Sequence, residues 1–270
     1  MDVAREIGEE RPRGAEIAYE AMASAYDDFT AHHDYDLWLG ALVPLAEKHG
    51  IPGRRLLDVA CGTGKSFIPM LEKGWEVTAC DISPAMVEIA RAKVGERAQL
   101  SVADMRELPV LGEFDLVFCI DDAVNYLLSG EELQQALSGM RRNLAPGGLL
   151  LFDVNTLDSY RTFFAEAAVT EHNGKRLIWE GRTSPDAPPG SIAEASFAVE
   201  PLDESAGPPI PPQIHRERHF PEAEVLAALE NAGLECLDVY GHHHDAVPHQ
   251  PLDEINHAKA IYIARSRAKA

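Results

Sequence analysis

The residues best suited to chemistry are two closely spaced glycines and an acid that follows them along the chain. Gly62 and Gly64 lie in the run Leu56–Ser66, LLDVACGTGKS, and Asp81 directly follows the run Trp75–Cys80. An apolar run broken by glycines predicts a buried strand that turns sharply into a helix, where a ligand can lie against bare backbone. An acid about 20 residues later, at the tip of the next strand, is placed to bind ribose hydroxyls. These residues predict a nucleoside-containing cofactor.

Two common classes of glycine loop fit this sequence poorly. A dinucleotide-binding loop has a third glycine, but Phe67 occupies that position. A triphosphate-binding loop ends as Gly64-Lys65-Ser66 does, but it needs a glycine where this chain has Val59. Without that glycine, the loop cannot surround a triphosphate with backbone amides.

The loop resembles motif I of the class I S-adenosylmethionine-dependent methyltransferases, whose cofactor carries no phosphate. The resemblance continues over the first 155 residues, through Asp81–Met86, Ala103–Met105, Phe114–Asp121 and Leu144–Gly148. Ser83 and Pro84 are expected to begin the second helix as its cap and first residue. The resemblance implies an adenine site at Asp104 and Met105. For Asp58 it leaves two alternatives, ordering of the loop or direct contact with the ligand. The implied cofactor-binding residues of this segment are Asp58, Ala60, Gly62, Gly64, Asp81, Ile82, Met86, Asp104, Met105 and Ile120.

The segment Ala18–Trp38 resembles the N-terminal lid of small-molecule methyltransferases. The resemblance implies that Tyr26 and Trp38 close over the methionine end of the cofactor. Helical spacing makes Tyr35 and Trp38 neighbours. The alternative is that these aromatic side chains only pack between helices.

Methyl transfer requires an acceptor lone pair aligned with the methyl group, and a hydroxyl or ammonium acceptor must also lose a proton. Asp121 and Asp122 follow the fourth strand, and His215, Glu217 and His219 alternate along a later one, which places those three on one face. We expect Asp122 to orient the acceptor and His215 to take its proton, because histidine titrates near neutral pH. The alternatives are that an acid caps the next turn, or that the proton leaves through Asp121, Asp122 or water.

A second histidine-rich stretch, His242–His244 followed by Asp245, is expected to form a solvated loop near the pocket mouth. Three adjacent histidines cannot all point at one ion from a regular strand, so we predict no metal site.

Composition narrows the classes of partner. The 270 residues are 46% hydrophobic and 25% charged, with a formal net charge of −20. This acidity argues against binding to nucleic acid phosphates or to anionic membranes. No apolar run approaches the ~20 residues of a membrane span, and no signal peptide is evident. The unpaired spacing of the four cysteines indicates a reducing compartment, so we expect a cytoplasmic protein, as a monomer or a homodimer.

The elements that must position these residues form an expected α/β fold. Strands and helices alternate over residues 56–154, as in a doubly wound parallel sheet, and residues 166–220 change to β-rich runs separated by proline-rich turns. The expected architecture is a Rossmann-like seven-stranded sheet with an antiparallel β cap inserted after the fifth strand. Its expected parts are a helical lid (1–55), a cofactor-binding domain (56–160 and 221–270) and a substrate cap (161–220).

The resemblance implies methyl transfer from S-adenosylmethionine to N or O of a small molecule, as in the sugar N-methyltransferases, which carry caps of this kind. Two alternatives remain open. One is a methyltransferase that modifies tRNA or protein, which the acidity and the missing Asn/Asp-Pro-Pro-Tyr motif disfavour. The other is a non-catalytic module that binds the cofactor.

Overall fold

The computed structural model describes residues 14–243 and 247–267. Within these two described ranges, twelve strands divide into two sheets. The strands are β1 Arg55–Val59, β2 Glu76–Asp81, β3 Ala98–Val102, β4 Phe114–Cys119, β5 Leu144–Asn155, β6 Ala167–His172, β7 Lys175–Gly181, β8 Ile192–Pro201, β9 Ile210–Arg218, β10 Leu234–His242, β11 Pro248–His249 and β12 Lys259–Ser266. The α-helices are α1 Gly14–Phe29, α2 Tyr35–Glu47, α3 Ile68–Glu72, α4 Pro84–Val94, α5 Gly130–Arg142, α6 Leu157–Arg161 and α7 Glu222–Asn231.

The larger sheet has the order β11-β10-β12-β5-β4-β1-β2-β3. Strands β1 to β5 pair in parallel, and β12 joins β5 antiparallel with Lys259 opposite Asn155. The seven-stranded α/β sheet predicted from the sequence is therefore confirmed, and the two-residue strand β11 extends it at one edge. Every residue of β4 is buried, as expected for a central strand covered on both faces.

Helices cover both faces of this sheet, so it is doubly wound. On one face, Leu137 of α5 and Leu229 of α7 pack with Val117 and Leu150 of the sheet. On the other face, Leu42 of α2, Met70 of α3 and Ala90 of α4 pack against a second row of strand side chains. The helix α4 begins as expected, with Pro84 in its first turn and the hydroxyl of Ser83 accepting from the Met86 amide at 3.2 Å.

The smaller sheet, β6-β7-β8-β9, is antiparallel throughout and lies between β5 and α7 in the chain. Its inner face packs on α1, where Met22 and Ala25 meet Trp179 and Phe197. The Lys175 ammonium lies 2.5 Å from an Asp28 carboxylate oxygen of α1. The inserted sheet thus fastens the N-terminal helix beside the main sheet.

The cysteines of this fold are free thiols: Cys61, Cys80 and Cys119 are buried, and Cys236 is half-buried. Within residues 14–243 and 247–267, no helix is both long and apolar enough to cross a membrane.

Candidate active site

The glycine loop adopts the sharp turn predicted for it. Ala60, Gly62 and Gly64 have φ values of 64°, 52° and 91°, so the chain leaves β1 in a left-handed conformation that glycine tolerates best. The Gly62 amide donates to Asp81 Oδ2 at 2.8 Å, and the Cys61 amide donates to the Cys80 carbonyl at 3.0 Å. These bonds hold the loop against the end of β2.

Asp81 is buried where the loop and the end of β2 meet. Its Oδ1 accepts from the Ser83 amide at 2.9 Å, while Oδ2 accepts from Gly62. Burial raises the pKa of Asp81, and the backbone amides only partly oppose this effect. A carboxylate offers about four acceptor positions, so roughly two remain for a ligand after these bonds. That arrangement suits a ribose diol.

Asp58 orders the loop from beneath. The Ser66 hydroxyl donates a short hydrogen bond to Asp58 Oδ2, and the carboxyl group is buried. Burial raises the pKa of Asp58 to about 7, against the opposing effect of Ser66. Asp58 is absent from the cavity lining, which favours the ordering role over direct contact with the ligand.

Lys65 binds the N-terminal segment. Its ammonium donates to the Thr30 carbonyl at 2.6 Å and to the Thr30 hydroxyl at 2.8 Å. This lysine therefore ties the residue that follows α1 to the glycine loop, and it also lines the cavity at the end of that loop.

These elements surround a cavity at the carboxyl ends of the parallel strands. Eight of the residues predicted to bind the cofactor line it: Tyr26, Ala60, Gly62, Asp81, Ile82, Asp104, Met105 and Ile120. Asp121, one of the predicted catalytic acids, also lines it. Residues from four strand ends thus meet in one enclosure.

The other four residues predicted to bind the cofactor do not line this cavity. Trp38 is buried beside Tyr35, at a ring-centroid distance of 6.1 Å, and stacks with His33, as the helix-packing alternative describes. Gly64 packs against Phe67, and a Cβ there would lie 3.0 Å from the ring. Met86 is buried in the cluster between α1 and the smaller sheet. With Asp58, these residues support the wall instead of forming it.

Asp104 and Met105 begin a short 3-10 turn after β3. The Arg106 guanidinium bonds both oxygens of Asp104, with Nη2–Oδ2 at 2.8 Å, and reaches Glu132 at 3.0 Å. Arg106 lines the cavity beside Asp104, so the predicted adenine site includes a cation that the sequence analysis did not anticipate.

The opposite wall centres on Asp121. Its carboxylate accepts from the Tyr35 hydroxyl at 2.6 Å and from the Tyr26 hydroxyl at 3.5 Å. Burial opposes ionisation of Asp121, but Lys259, His33 and the Tyr35 hydroxyl outweigh it and lower its pKa. Tyr19 and Tyr126 also line the cavity, with ring centroids 5.1 Å apart. A negative charge therefore faces the cavity among tyrosine rings.

Asp122 does not line the cavity. Its carboxylate makes a short contact with the Lys259 ammonium, and it makes no side-chain cap of the following 3-10 turn. The capping alternative is therefore not realised. The orienting role expected of Asp122 stays a prediction, and in this structure its carboxylate pairs with Lys259 and is absent from the cavity lining.

The prediction that His215 acts as a base near neutral pH is wrong in its premise. His215 is buried outside the cavity wall, and burial lowers its pKa to about 4. Its Nδ1 lies 2.9 Å from the Tyr126 hydroxyl. Glu217 bonds Asn155 Nδ2 at 2.9 Å, and His219 Nδ1 accepts from the Gly190 amide at 3.0 Å. All three side chains are buried, and none of the residues described in segment 161–220 lines the cavity.

The later histidines occupy the end of β10 and its surroundings. His242 is the last residue of β10 and pairs with Pro248, while His243 contacts the rings of His249 and His257. His244 and Asp245 lie outside the described residues. Among the residues that are described, no three His, Cys, Asp or Glu side chains converge as metal ligands.

Two residues that hold this wall were missed by sequence reasoning, Asp153 and Lys259. Each interrupts or borders an apolar strand: Asp153 in LLLFDV and Lys259 before AIYIA. A charge at such a position is costly to bury unless it is paired, which is the signal that could have identified them.

The fold and site together define a nucleoside-cofactor enzyme of the Rossmann-like type, and comparison with known proteins gives the family. Residues 56–148 match the family described as a methyltransferase domain. YqeM of Bacillus subtilis (strain 168), named as a methyltransferase, is 30% identical over 86% of this chain and 92% of its own. The Saccharopolyspora spinosa dTDP-4-amino-2,3,4,6-tetradeoxy-D-glucose N,N-dimethyltransferase is 29% identical over 83% of this chain and 86% of its own.

The fold has a solved counterpart. The crystal structure of an S-adenosylmethionine-dependent methyltransferase from Clostridium acetobutylicum matches with a TM-score of 0.76, at 21% identity, over 93% of this chain and 99% of that one. The chain belongs to the class I S-adenosylmethionine-dependent methyltransferases, and S-adenosylmethionine is its cofactor.

Proposed function

We propose that this methyltransferase acts on an amino nitrogen of a small molecule, and that an amino sugar nucleotide is the substrate class to test first. The observation that carries the proposal is the charged Asp121 carboxylate, which faces the cavity among Tyr19, Tyr26, Tyr35 and Tyr126. A carboxylate beside aromatic faces suits an ammonium group, which gains from both charge pairing and cation–π attraction. The S. spinosa relative, whose name gives an amino sugar nucleotide, adds support.

The residues of the cavity account for binding and orientation. Asp81 and the backbone at Gly62 suit the ribose, Asp104, Met105 and Arg106 suit the adenine, and Asp121 suits the acceptor. S-adenosylmethionine supplies the methyl group on a sulfonium, which is an activated leaving group. The amine attacks as its neutral form, so it must lose one proton before attack. His215 lies directly behind Tyr19 and Tyr126, and its pKa of about 4 makes it a poor base near neutral pH, so the proton leaves through Asp121 or water.

The two segments flanking the cavity take different roles in this proposal. Helices α1 and α2 provide Tyr19, Tyr26 and Tyr35 and so form the lid. The sheet β6–β9 supports α1 through the cluster around Met22 and Phe197 and does not itself bind the acceptor. This is a narrower role than the substrate cap expected from the sequence.

The test is a methylation assay of the purified chain with S-adenosylmethionine and matched pairs of dTDP-sugars that carry an amino or a hydroxyl group at one carbon. Glycine and a peptide with a free N-terminus complete the panel, and mass spectrometry detects the products. We expect methylation of an amino member only, and loss of turnover in Asp121→Asn with S-adenosylhomocysteine binding retained. Methylation of the hydroxyl member alone, or a fully active Asp121→Asn variant, contradicts the proposal.

A further inference from the structure

Lys259, at the start of β12, contacts three carboxylates. One of them is Asp121, which lies in the wall of the cavity that we propose binds the acceptor, called here the acceptor wall. Its ammonium lies 2.9 Å from Asp153 Oδ2 and 3.5 Å from Asp121 Oδ1, and it makes a short contact with Asp122. The lysine side chain is 13% exposed and Asp153 is fully buried. Lys259 is absent from the cavity lining, whereas Asp121 is part of it.

The backbone that carries Asp121 is strained and held in place. Asp121 and Asp122 both have left-handed conformations, with φ of 67° and 55°. Such conformations are costly for residues that carry a Cβ, and they persist only where the surrounding structure holds them. Asp153 supplies that support, because its two oxygens accept from the amides of Asp121 and Asp122 at 2.6 and 3.0 Å. Lys259 in turn bonds Asp153, so one cation anchors both the backbone and the side chain.

We propose that Lys259 is a positioning residue that fixes the Asp121 carboxylate in the acceptor wall and keeps it charged, without touching the acceptor. The proposal rests on the proposed role of Asp121 as the site for a cationic amine. Without Lys259, the carboxylates of Asp121, Asp122 and Asp153 share a buried region with the Glu217 carboxyl group, which interacts with Asp122. Like charges at such distances favour protonation of one or more of these groups. A protonated Asp121 no longer attracts an ammonium group.

Other groups around Asp121 act in the same region and do not replace the lysine. The titratable and charged side chains that face it are Tyr26 of α1, His33 and Tyr35 near the start of α2, Lys65 of the glycine loop, Asp122, Asp153 of β5 and Lys259 of β12. Lys65 already binds Thr30, and its own pKa is lowered by burial. Among these described groups, Lys259 is the cation in direct contact with the carboxylates.

The test uses sinefungin, which carries an amino group where S-adenosylmethionine carries its methyl group. Calorimetry gives the preference of each variant for sinefungin over S-adenosylhomocysteine, and no acceptor is needed. We expect Asp121→Asn and Lys259→Met each to reduce this preference about tenfold at pH 6.5, with S-adenosylhomocysteine affinity changed less than about threefold. The double variant should lose no more than either single one, because both remove the same charge.

A direct effect of the lysine predicts the opposite sign, since removing a cation near the sinefungin ammonium would strengthen its binding. In Lys259→Met the preference should also fall further from pH 7.5 to 5.5, while Lys259→Arg should retain it. If Lys259→Met does not fold, Lys259→Met with Asp122→Asn restores the local charge balance and should still show a loss, but a smaller one, because one of the like charges is removed with the cation. Lys48→Met, at an exposed lysine over Tyr240, is the control.

An unchanged or increased preference in Lys259→Met overturns the inference, and so do additive losses in the double variant. The proposed function can fail separately. If Asp121→Asn and Lys259→Met behave as expected here but no amine is methylated, the support of Asp121 stands and the acceptor class is wrong.

Discussion

The two walls of the cavity are built in different ways. The wall around Gly62 and Asp81 consists of two neighbouring strand ends, with ligand groups supplied largely by backbone and by one acid 19 residues along the chain. The wall around Asp121 brings together α1, α2, β4, β5 and β12, and Lys259 bonds a residue 137 positions away. The first is local and depends on backbone shape. The second is non-local and depends on a balance of buried charges, so changes in charge should affect it more.

The largest effect is expected from Asp153→Ala in the non-local wall. The change removes both acceptors that hold the left-handed backbone and leaves Lys259 with fewer partners. Breaking a buried ion pair by removing one member costs about 3–5 kcal/mol of unfolding free energy. Urea unfolding of the cofactor-free chain measures this loss.

Asp115→Ala is the matched control for Asp153→Ala. Asp115 is also a buried acid, on β4 itself, but it binds the Arg55 amide at 2.9 Å near the other end of the strand. We expect a loss of about 1.5–3 kcal/mol there, as for hydrogen bonds to a charged group. Equal losses in the two variants would mean that the Asp121 wall has no special dependence on buried charge.

The next effect is expected from Asp81→Ala in the local wall. The change removes the acceptor of the Gly62 and Ser83 amides and the proposed ribose contacts. Binding of S-adenosylhomocysteine should weaken by roughly 1.5–3 kcal/mol, the value of hydrogen bonds to a charged acceptor. Calorimetry checks this value, and NAD should not bind to either form. An unchanged affinity would remove Asp81 from the cofactor site.

An effect of similar size, spread over several pH units, is expected from Asp58→Asn. Because the pKa of Asp58 is about 7 in the folded chain and ordinary when unfolded, the wild type loses stability as pH rises from about 4 to 7. The variant lacks this loss. The difference in unfolding free energy between the variant and the wild type should therefore rise in favour of the variant by about 1 kcal/mol per pH unit, and it should become constant above pH 7. Parallel stability curves for the two proteins would contradict the raised pKa. Ser66→Ala, which removes the hydroxyl donor, should keep the wild-type slope.

The contrast between the walls also explains what the sequence could predict. The strand order, the turn at Gly62 and the place of Asp81 follow from local patterns, since a glycine pair after an apolar run has few conformations open to it. Lys259 could not be assigned in this way, because its partners Asp122 and Asp153 become neighbours only when β12 pairs with β5. A single lysine before an apolar strand is also a common edge residue.

The error at His215 has the same origin. Alternation correctly placed His215 and Glu217 on one face of β9, and His219 directly follows the strand. The face that the sequence assigned to the pocket packs instead against α1 and the aromatic cluster, where Tyr19 and Trp179 surround His215. Tertiary packing decides what covers each face of a sheet. The alternation of residues along a strand shows which side chains share a face, but it does not show what packs against that face.

The smallest effect is therefore expected from His215→Asn. The histidine is neutral above about pH 5, because burial lowers its pKa to about 4, and Asn can keep a bond to the Tyr126 hydroxyl. With any amine found in the assay, single-turnover rates from pH 6 to 8 should stay within about threefold of wild type, well below the ~100-fold that loss of a general base costs. The difference should appear in stability on the acid side. As pH falls from 6.5 to 4, this histidine becomes protonated in the unfolded wild-type chain but stays neutral in the folded chain. The wild type therefore loses stability over this range, and the variant does not show this loss. Loss of an ascending limb near pH 6.5 in the rate profile of the variant would return His215 to the role of base and would move the chemistry from the main sheet to the inserted one.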